Sequence, residues 1–208
     1  MFSIIQAAGW PIWPLIASSV LALAIIIERF ISLKGDKVVP PQLLDEVLKV
    51  TRNGTLAPDV LSQLERNSAL GEVLSSGLRL LHTDARCSED DLRAVMEGAG
   101  RVVTQRLEHY LSALATIASA APLMGLFGTV VGMIEIFGSQ APGGATASNP
   151  AQLAHGISVA LYNTAFGLIV AIPSLIFWRY FRLRVDGYVL SLELASERLV
   201  RHIQARRR

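Results

Sequence analysis

The chain has 208 residues, of which 51% are hydrophobic and 17% charged, with a net charge of +2 and a positive mean hydropathy. Soluble domains carry about 25% charged residues, so a domain that faces water on all sides is excluded. The apolar residues gather instead into three runs, near 12–27, 111–134 and 156–178, separated by ordinary polar sequence.

A helix needs about 20 apolar residues to cross hydrocarbon. The second and third runs meet that length. The first is shorter, but Ile4, Ile5, Ala7 and Ala8 extend it, and Trp10 and Trp13 suit a membrane interface. Nothing positive precedes this run, and it passes straight into Glu28 and Arg29 without a small-residue cleavage site, so it reads as a retained span rather than a signal peptide.

The basic residues are distributed unevenly. All 19 Lys and Arg fall in two stretches, eleven from Arg29 to Arg106 and eight from Arg179 to Arg208, and residues 1–28 and 138–149 have none. The positive-inside rule therefore places both basic stretches in the cytoplasm, with the N-terminus and the short Gly/Pro/Ser loop outside. Next to a span, the tail Arg206, Arg207 and Arg208 reads as topology control or attraction to anionic lipid rather than as a nucleic-acid contact. Cys87 has no second cysteine to pair with and no ligand cluster around it.

Between the first two spans the pattern is helical and amphipathic, with no strand signal. Pro40 and Pro41 open a helix through Leu43, Leu44, Val47, Leu48 and Val50, which Asn53 and Gly54 close. Pro58 begins a second helix, and a third runs through Leu70, Val73, Leu74, Leu78 and Leu81. Ser88 followed by Asp91 resembles a capping box. With no strong breaker before Pro122, one helix of roughly 70 Å is expected from about residue 89 to 137. Asn149 and Pro150 look like a cap and a first-turn proline opening another long helix. Beyond the third run, Val185, Val189, Leu192, Leu199 and Ile203 keep a seam near the 3.5-residue period, which is expected to pack on the extension of the second helix. The fold expected is an all-α integral membrane protein of three transmembrane helices, the second and third extended into a cytoplasmic helical stalk.

The second and third spans differ in kind from the bulky first. Ala118, Pro122, Gly125, Thr129 and Gly132 share one face of the second, and Ala160, Thr164, Gly167, Ala171 and Ser174 one face of the third. Two readings are open. Small residues let membrane helices approach closely, and threonine hydroxyls bond their own backbone or a neighbouring helix. Alternatively the two stripes line a cavity between subunits, where Thr129 and Thr164 offer hydroxyls to water or to a partner helix. No acid, Lys, Arg or central His lies in the membrane interior, although such groups are what intramembrane proton paths use. Glu135 and His155 lie near the outer ends of spans two and three, where Glu135 either attracts cations at a mouth or simply faces water. If protons move here, the titrating group belongs to another polypeptide. No nucleophile–base pair, metal-ligand cluster or phosphate-binding glycine loop is present, so neither an enzyme nor a cofactor is expected.

The segment APLMGLFGTVVGMI, 121–134, resembles the second-span signature of the MotA/TolQ/ExbB proton-channel family, and GISVALYNTAFGLIVAIP, 156–173, resembles its third-span signature. Three spans rather than four are most like the ExbB and TolQ branches. The resemblance implies a ring of five subunits in the bacterial inner membrane enclosing an ExbD- or TolR-type single-span partner, whose intramembrane aspartate carries the proton. A TonB- or TolA-type protein would then deliver force to the outer membrane. It also implies that Thr129 and Thr164 are the pore-facing threonines, with Pro122, Gly125, Gly132, Ala160, Gly167 and Ala171 on a packing or pore face and Glu135 at a periplasmic mouth. Val159 stands where many ExbB and TolQ members carry glutamate, which argues against a carboxylate on this subunit at that point. The division implied is 1–30 for a first helix with periplasmic N-terminus, 31–106 for a cytoplasmic helical region, 107–178 for the channel core and 179–208 for a cytoplasmic C-terminal helix. The alternatives are a TolQ-type or other ion-driven stator, with protons or sodium as the ion, and a non-conducting membrane scaffold.

Overall fold

The computed structural model describes residues 9–53, 58–84, 86–138 and 150–207. Among these, all regular structure is helical, and three helices are long and apolar enough to cross a membrane. In chain order the helices are α1 (Ile12–Ser32), α2 (Gly35–Val38), α3 (Leu43–Asn53), α4 (Pro58–Asn67), α5 (Ala69–Thr83), α6 (Glu89–Glu108), α7 (Leu111–Gly138) and α8 (Pro150–Arg207). Gly54, Asn149 and the 139–149 loop lie outside the described residues, as does the side chain of His155. The chain divides into two compact units, Met1–Glu28 with Tyr110–Arg179, and Arg29–His109 with Tyr180–Arg208.

The first unit is the membrane-spanning one. In α1, Ile12, Leu15, Ala22, Ile25 and Ile26 are buried at helical spacing, while Val20, Leu21, Leu23 and Ile27 on the other faces are more than half exposed. Leu123, Ile134, Ile169 and Ile176 of α7 and α8 are likewise about 60% exposed or more. Apolar area of that extent facing outward is what lipid solvates and water does not. Trp10 packs edge-on against Phe127, with ring centroids 5.9 Å apart.

The second unit is a polar bundle with an apolar core that includes Leu70, Val73, Leu74, Met96, Val103, Phe181, Val185 and Leu199. The C-terminal half of α8 runs against α6. Arg93 holds Glu197 through two hydrogen bonds of 3.2 and 3.1 Å, and Arg182 meets Glu108 at 2.9 Å. Val185, Leu192, Leu199 and Ile203 of the expected seam are buried, and Val189 is half-buried. Ser88 caps α6 in a full capping box: its hydroxyl accepts from the Asp91 amide, and its own amide donates to the Asp91 carboxylate. The Ser88 hydroxyl also donates to that carboxylate, and this bond, with the backbone one, holds the Asp91 carboxyl below its ordinary range.

The long helix expected over 89–137 is present as a 50-residue helical stretch, Glu89–Gly138, with a two-residue irregularity at His109 and Tyr110 that divides it into α6 and α7. The His109 amide turns to the Arg106 carbonyl, three residues back rather than four. Two residues before His109, the buried Arg29 guanidinium donates to the Leu107 carbonyl at 2.9 Å. A guanidinium on this carbonyl supplies a charge-assisted bond where the helical ladder is interrupted. No residue within α6 announces this irregularity, and the arginine that meets the carbonyl beside it lies 78 positions away in the chain.

Candidate functional site in the membrane unit

α7 and α8 approach until their backbones touch. A Cβ added at Gly125 would lie 2.8 Å from the Asn163 carbonyl oxygen and 3.0 Å from the Thr164 Cα. One at Gly167 would lie 2.6 Å from the Ala121 carbonyl oxygen, and one at Gly132 would lie 3.1 Å from the Ala160 Cβ. At Gly156 the obstacle is Ile136, at 2.7 Å. Rising residue numbers on α7 meet falling numbers on α8, so the two helices are antiparallel. Small residues at such a seam let van der Waals packing act at short range, which is the main attraction available between helices in lipid.

The contact stripe on α7 is Ala118, Ala121, Gly125 and Gly128, all buried, with half-buried Gly132 continuing it against Ala160. On α8 it is Ala160, Asn163, Gly167, Ala171 and Ser174, all buried. Gly125, Gly132, Ala160, Gly167 and Ala171 therefore lie in or beside the helix contact. Pro122, Thr129 and Thr164 sit one residue past it and are half-buried. Gly128 is central: a Cβ there would stand 2.8 Å from the Asn163 Cβ and 2.9 Å from its Cγ and Nδ2. A glycine is thus required to seat the Asn163 amide, which is 1% exposed.

This contact also places the two threonines. Thr129 follows Gly128 and Thr164 follows Asn163, so both stand at one level of the helix pair. On two antiparallel right-handed helices, a step of about 100° past the contact turns each residue toward the same side. Thr129 and Thr164 therefore share one flank of the pair. Thr129 also borders a shallow depression of about 520 Å³ on the outer face of α7, lined by Val130, Met133, Ile134 and Phe137. The Thr129 hydroxyl donates to the Leu126 carbonyl at 2.6 Å, as Ser174 donates to Val170 at 2.7 Å. With its proton committed to its own helix, the Thr129 oxygen offers only acceptor lone pairs to whatever reaches it.

The apolar segments 111–134 and 156–178 hold no acid, Lys, Arg or His. Glu135 is exposed near the end of α7, and Val159 is half-buried near the start of α8. Among the described residues no group of three His, Cys, Asp or Glu side chains is placed to hold a metal ion. Sequence reasoning missed Gly128 and Asn163. Asn163 carried a signal, as the only amide in the third apolar run; Gly128 carried none beyond being small.

These features define a multi-pass α-helical membrane protein built around a close-packed helix pair that carries two hydroxyls on one flank and no acid, Lys, Arg or His within its apolar segments. The model of the MotA/TolQ/ExbB proton channel family matches residues 65–194, and the chain belongs to that family. It is 32% identical over 181 residues to the putative biopolymer transport protein ExbB-like 3 of Synechocystis, covering 85% of this chain and 82% of the relative. It is 29% identical over 194 residues to biopolymer transport protein exbB1 of Vibrio cholerae, covering 90% and 82%. To the Tol-Pal system protein TolQ of Haemophilus influenzae it is 31% identical over 181 residues, covering 83% and 78%. The family is one of transport-associated channel proteins rather than a known enzyme family.

Proposed function

We propose that the chain is the channel-forming subunit of an ExbB-type motor in the bacterial inner membrane, driven by the proton-motive force. Five copies form a ring around an ExbD-type single-span partner, and a TonB-type protein carries the output to outer-membrane import. The N-terminus is periplasmic and the C-terminus cytoplasmic, as the placement of the 19 basic residues favours. In this reading residues 107–178 are the channel core and the remainder is anchor and cytoplasmic helix.

One observation carries the proposal: a flank bearing Thr129 and Thr164 on a helix pair whose apolar segments hold no acid, Lys, Arg or His. Such a pair does not relay protons alone, but it suits a carboxyl group brought by a partner. The Thr129 oxygen, its own proton held by Leu126, accepts a hydrogen bond from a protonated carboxylic acid. The same oxygen offers no donor to a carboxylate, so Thr129 favours the neutral, proton-loaded form. Pro122, the small residues and the apolar depression give a partner helix a surface to slide on, and Glu135 marks the outer mouth.

A TolQ-type role in envelope integrity is the second reading, favoured by the comparable identity to relatives named ExbB and TolQ. Thr129→Val and Thr164→Val keep side-chain shape and remove the hydroxyl. In proteoliposomes containing the partner, each is expected to lower proton flux about tenfold or more while the assembly remains intact. Unchanged flux in both variants would remove the channel role of these residues. Restoration of uptake in a strain lacking its own ExbB, without restoration of one lacking TolQ, separates the two readings.

A further inference from the structure

In the polar bundle, Arg184 of α8 lies between Tyr180 one turn before it and Tyr188 one turn after. Its Nη1 donates to the Tyr180 hydroxyl at 3.2 Å and its Nη2 to the Tyr188 hydroxyl at 3.0 Å. The guanidinium carbon stands 5.8 Å from each ring centroid. Tyr188 is itself fixed, donating to the Leu33 carbonyl at 2.8 Å just beyond the end of α1. Phe30, one turn earlier on α1, meets Tyr180 at 5.9 Å and Phe181 at 5.0 Å. The arginine is therefore held in place by aromatic groups, and part of its entropy cost for binding is already met.

Its charge is not neutralised by an acid among the described residues. Arg93, Arg106 and Arg182 are each met by a carboxylate. Arg184 has none within ion-pair range among the described residues, and Asp186, the nearest acid along its helix, is held by Arg182 at 3.3 Å. Lys34, exposed beside Leu33, adds a second cation with no carboxylate partner among the described residues. Asp36 and Lys37 follow in α2 and offset one another. Two of the five guanidinium N–H groups are engaged by the tyrosines, so the others remain as donors in a planar fork that suits a phosphate.

The location supplies the ligand class. Phe30 and Tyr180, 41% and 43% exposed, lie where α1 and α8 leave their apolar runs, the level at which aromatic residues sit among headgroups. We propose that Arg184, clamped by Tyr180 and Tyr188 and joined by Lys34, binds the phosphate of an anionic phospholipid headgroup. Free inorganic phosphate shares the chemistry but not the acyl chains, for which the exposed Phe30 ring provides a surface.

The test uses the full chain purified in detergent and titrated with phosphatidylglycerol or phosphatidylcholine, with bound lipid counted by native mass spectrometry. Wild-type protein is expected to retain phosphatidylglycerol in preference to phosphatidylcholine. Arg184→Gln should weaken that retention about fivefold, the factor that roughly 1 kcal/mol per basic residue at a charged surface provides. Arg198→Gln removes the same charge from the far end of α8 and should change nothing. Tyr188→Phe keeps the charge but loosens the clamp, and is expected to lose about twofold; it also carries the test if Arg184→Gln fails to fold, as judged by circular dichroism. Equal losses in the Arg184 and Arg198 variants would reduce the effect to net charge and overturn the site. Equal retention of the two lipids by wild-type protein would overturn it as well. Saturable displacement of the lipid by millimolar inorganic phosphate would reassign the site to a soluble anion.

Discussion

Gly125→Ala tests the close-packed helix pair most directly. The new methyl group would stand 2.8 Å from the Asn163 carbonyl oxygen and 3.0 Å from the Thr164 Cα, both backbone atoms that no rotamer change removes. Reaching an ordinary contact of 3.4 Å or more requires α7 and α8 to part by at least about 0.6 Å. That separation loosens the flanking contacts at Gly128 and Gly167 along the same stripe, for an overpacking cost of about 1–3 kcal/mol. Opposing it is the helix preference of alanine over glycine, about 1 kcal/mol. Because the obstacle is backbone, the upper part of that range applies, about 2–3 kcal/mol, and a net loss of about 1–2 kcal/mol follows. At about 2–4 °C per kcal/mol for a chain of this size, thermal unfolding in detergent, followed by circular dichroism at 222 nm, should shift down by about 2–8 °C. An unchanged or raised midpoint would refute the close approach of the two helices at this point.

Gly100→Ala supplies the opposite sign: nothing lies within 4 Å of a Cβ there, so only helix preference acts, and the same melt should rise by a few degrees. Arg29→Met removes the guanidinium and leaves the buried Leu107 carbonyl without that bond; the expected loss is about 1–3 kcal/mol, with faster amide exchange across residues 107–111. Phe181→Ala empties a fully buried site and should destabilise the bundle by about 3–5 kcal/mol, read as faster labelling of the buried Cys87 thiol. The carboxyls of Asp91, hydrogen-bonded by Ser88, and Glu197, hydrogen-bonded by Arg93, are both held below their ordinary range. Their stabilising effect is therefore complete above the unfolded carboxylate pKa of about 4 and disappears as pH falls through the lower folded values. Amide protection at the start of α6 and along 193–201 should fall in that acid range, and Asp91→Asn should abolish the pH dependence at the first of these.

Much of the molecule was legible in local sequence because each signal is satisfied locally. Three apolar runs long enough for a bilayer identify the spans, since lipid obliges a helix to satisfy its own backbone. Ser88 and Asp91 announce a helix start because both partners of the capping box lie within four residues. The seam Val185, Leu192, Leu199 and Ile203 announces its buried face because the period is held for several turns. What the tertiary structure decided is which of several equivalent choices is used. On α7 a stripe through Ala118, Gly125 and Gly132 passes equally well through Pro122 and Thr129 or through Ala121 and Gly128, since adjacent residues are separated by only about 100°. Only the partner helix selects between them, and it selects the stripe on which Gly128 seats Asn163, leaving the threonines together on one flank. In the same way Arg29 finds Leu107 across 78 residues, and Tyr188 reaches Leu33 across 155, to fix the tyrosine clamp around Arg184. Such contacts depend on how helices approach one another, a quantity that helical period and composition do not encode.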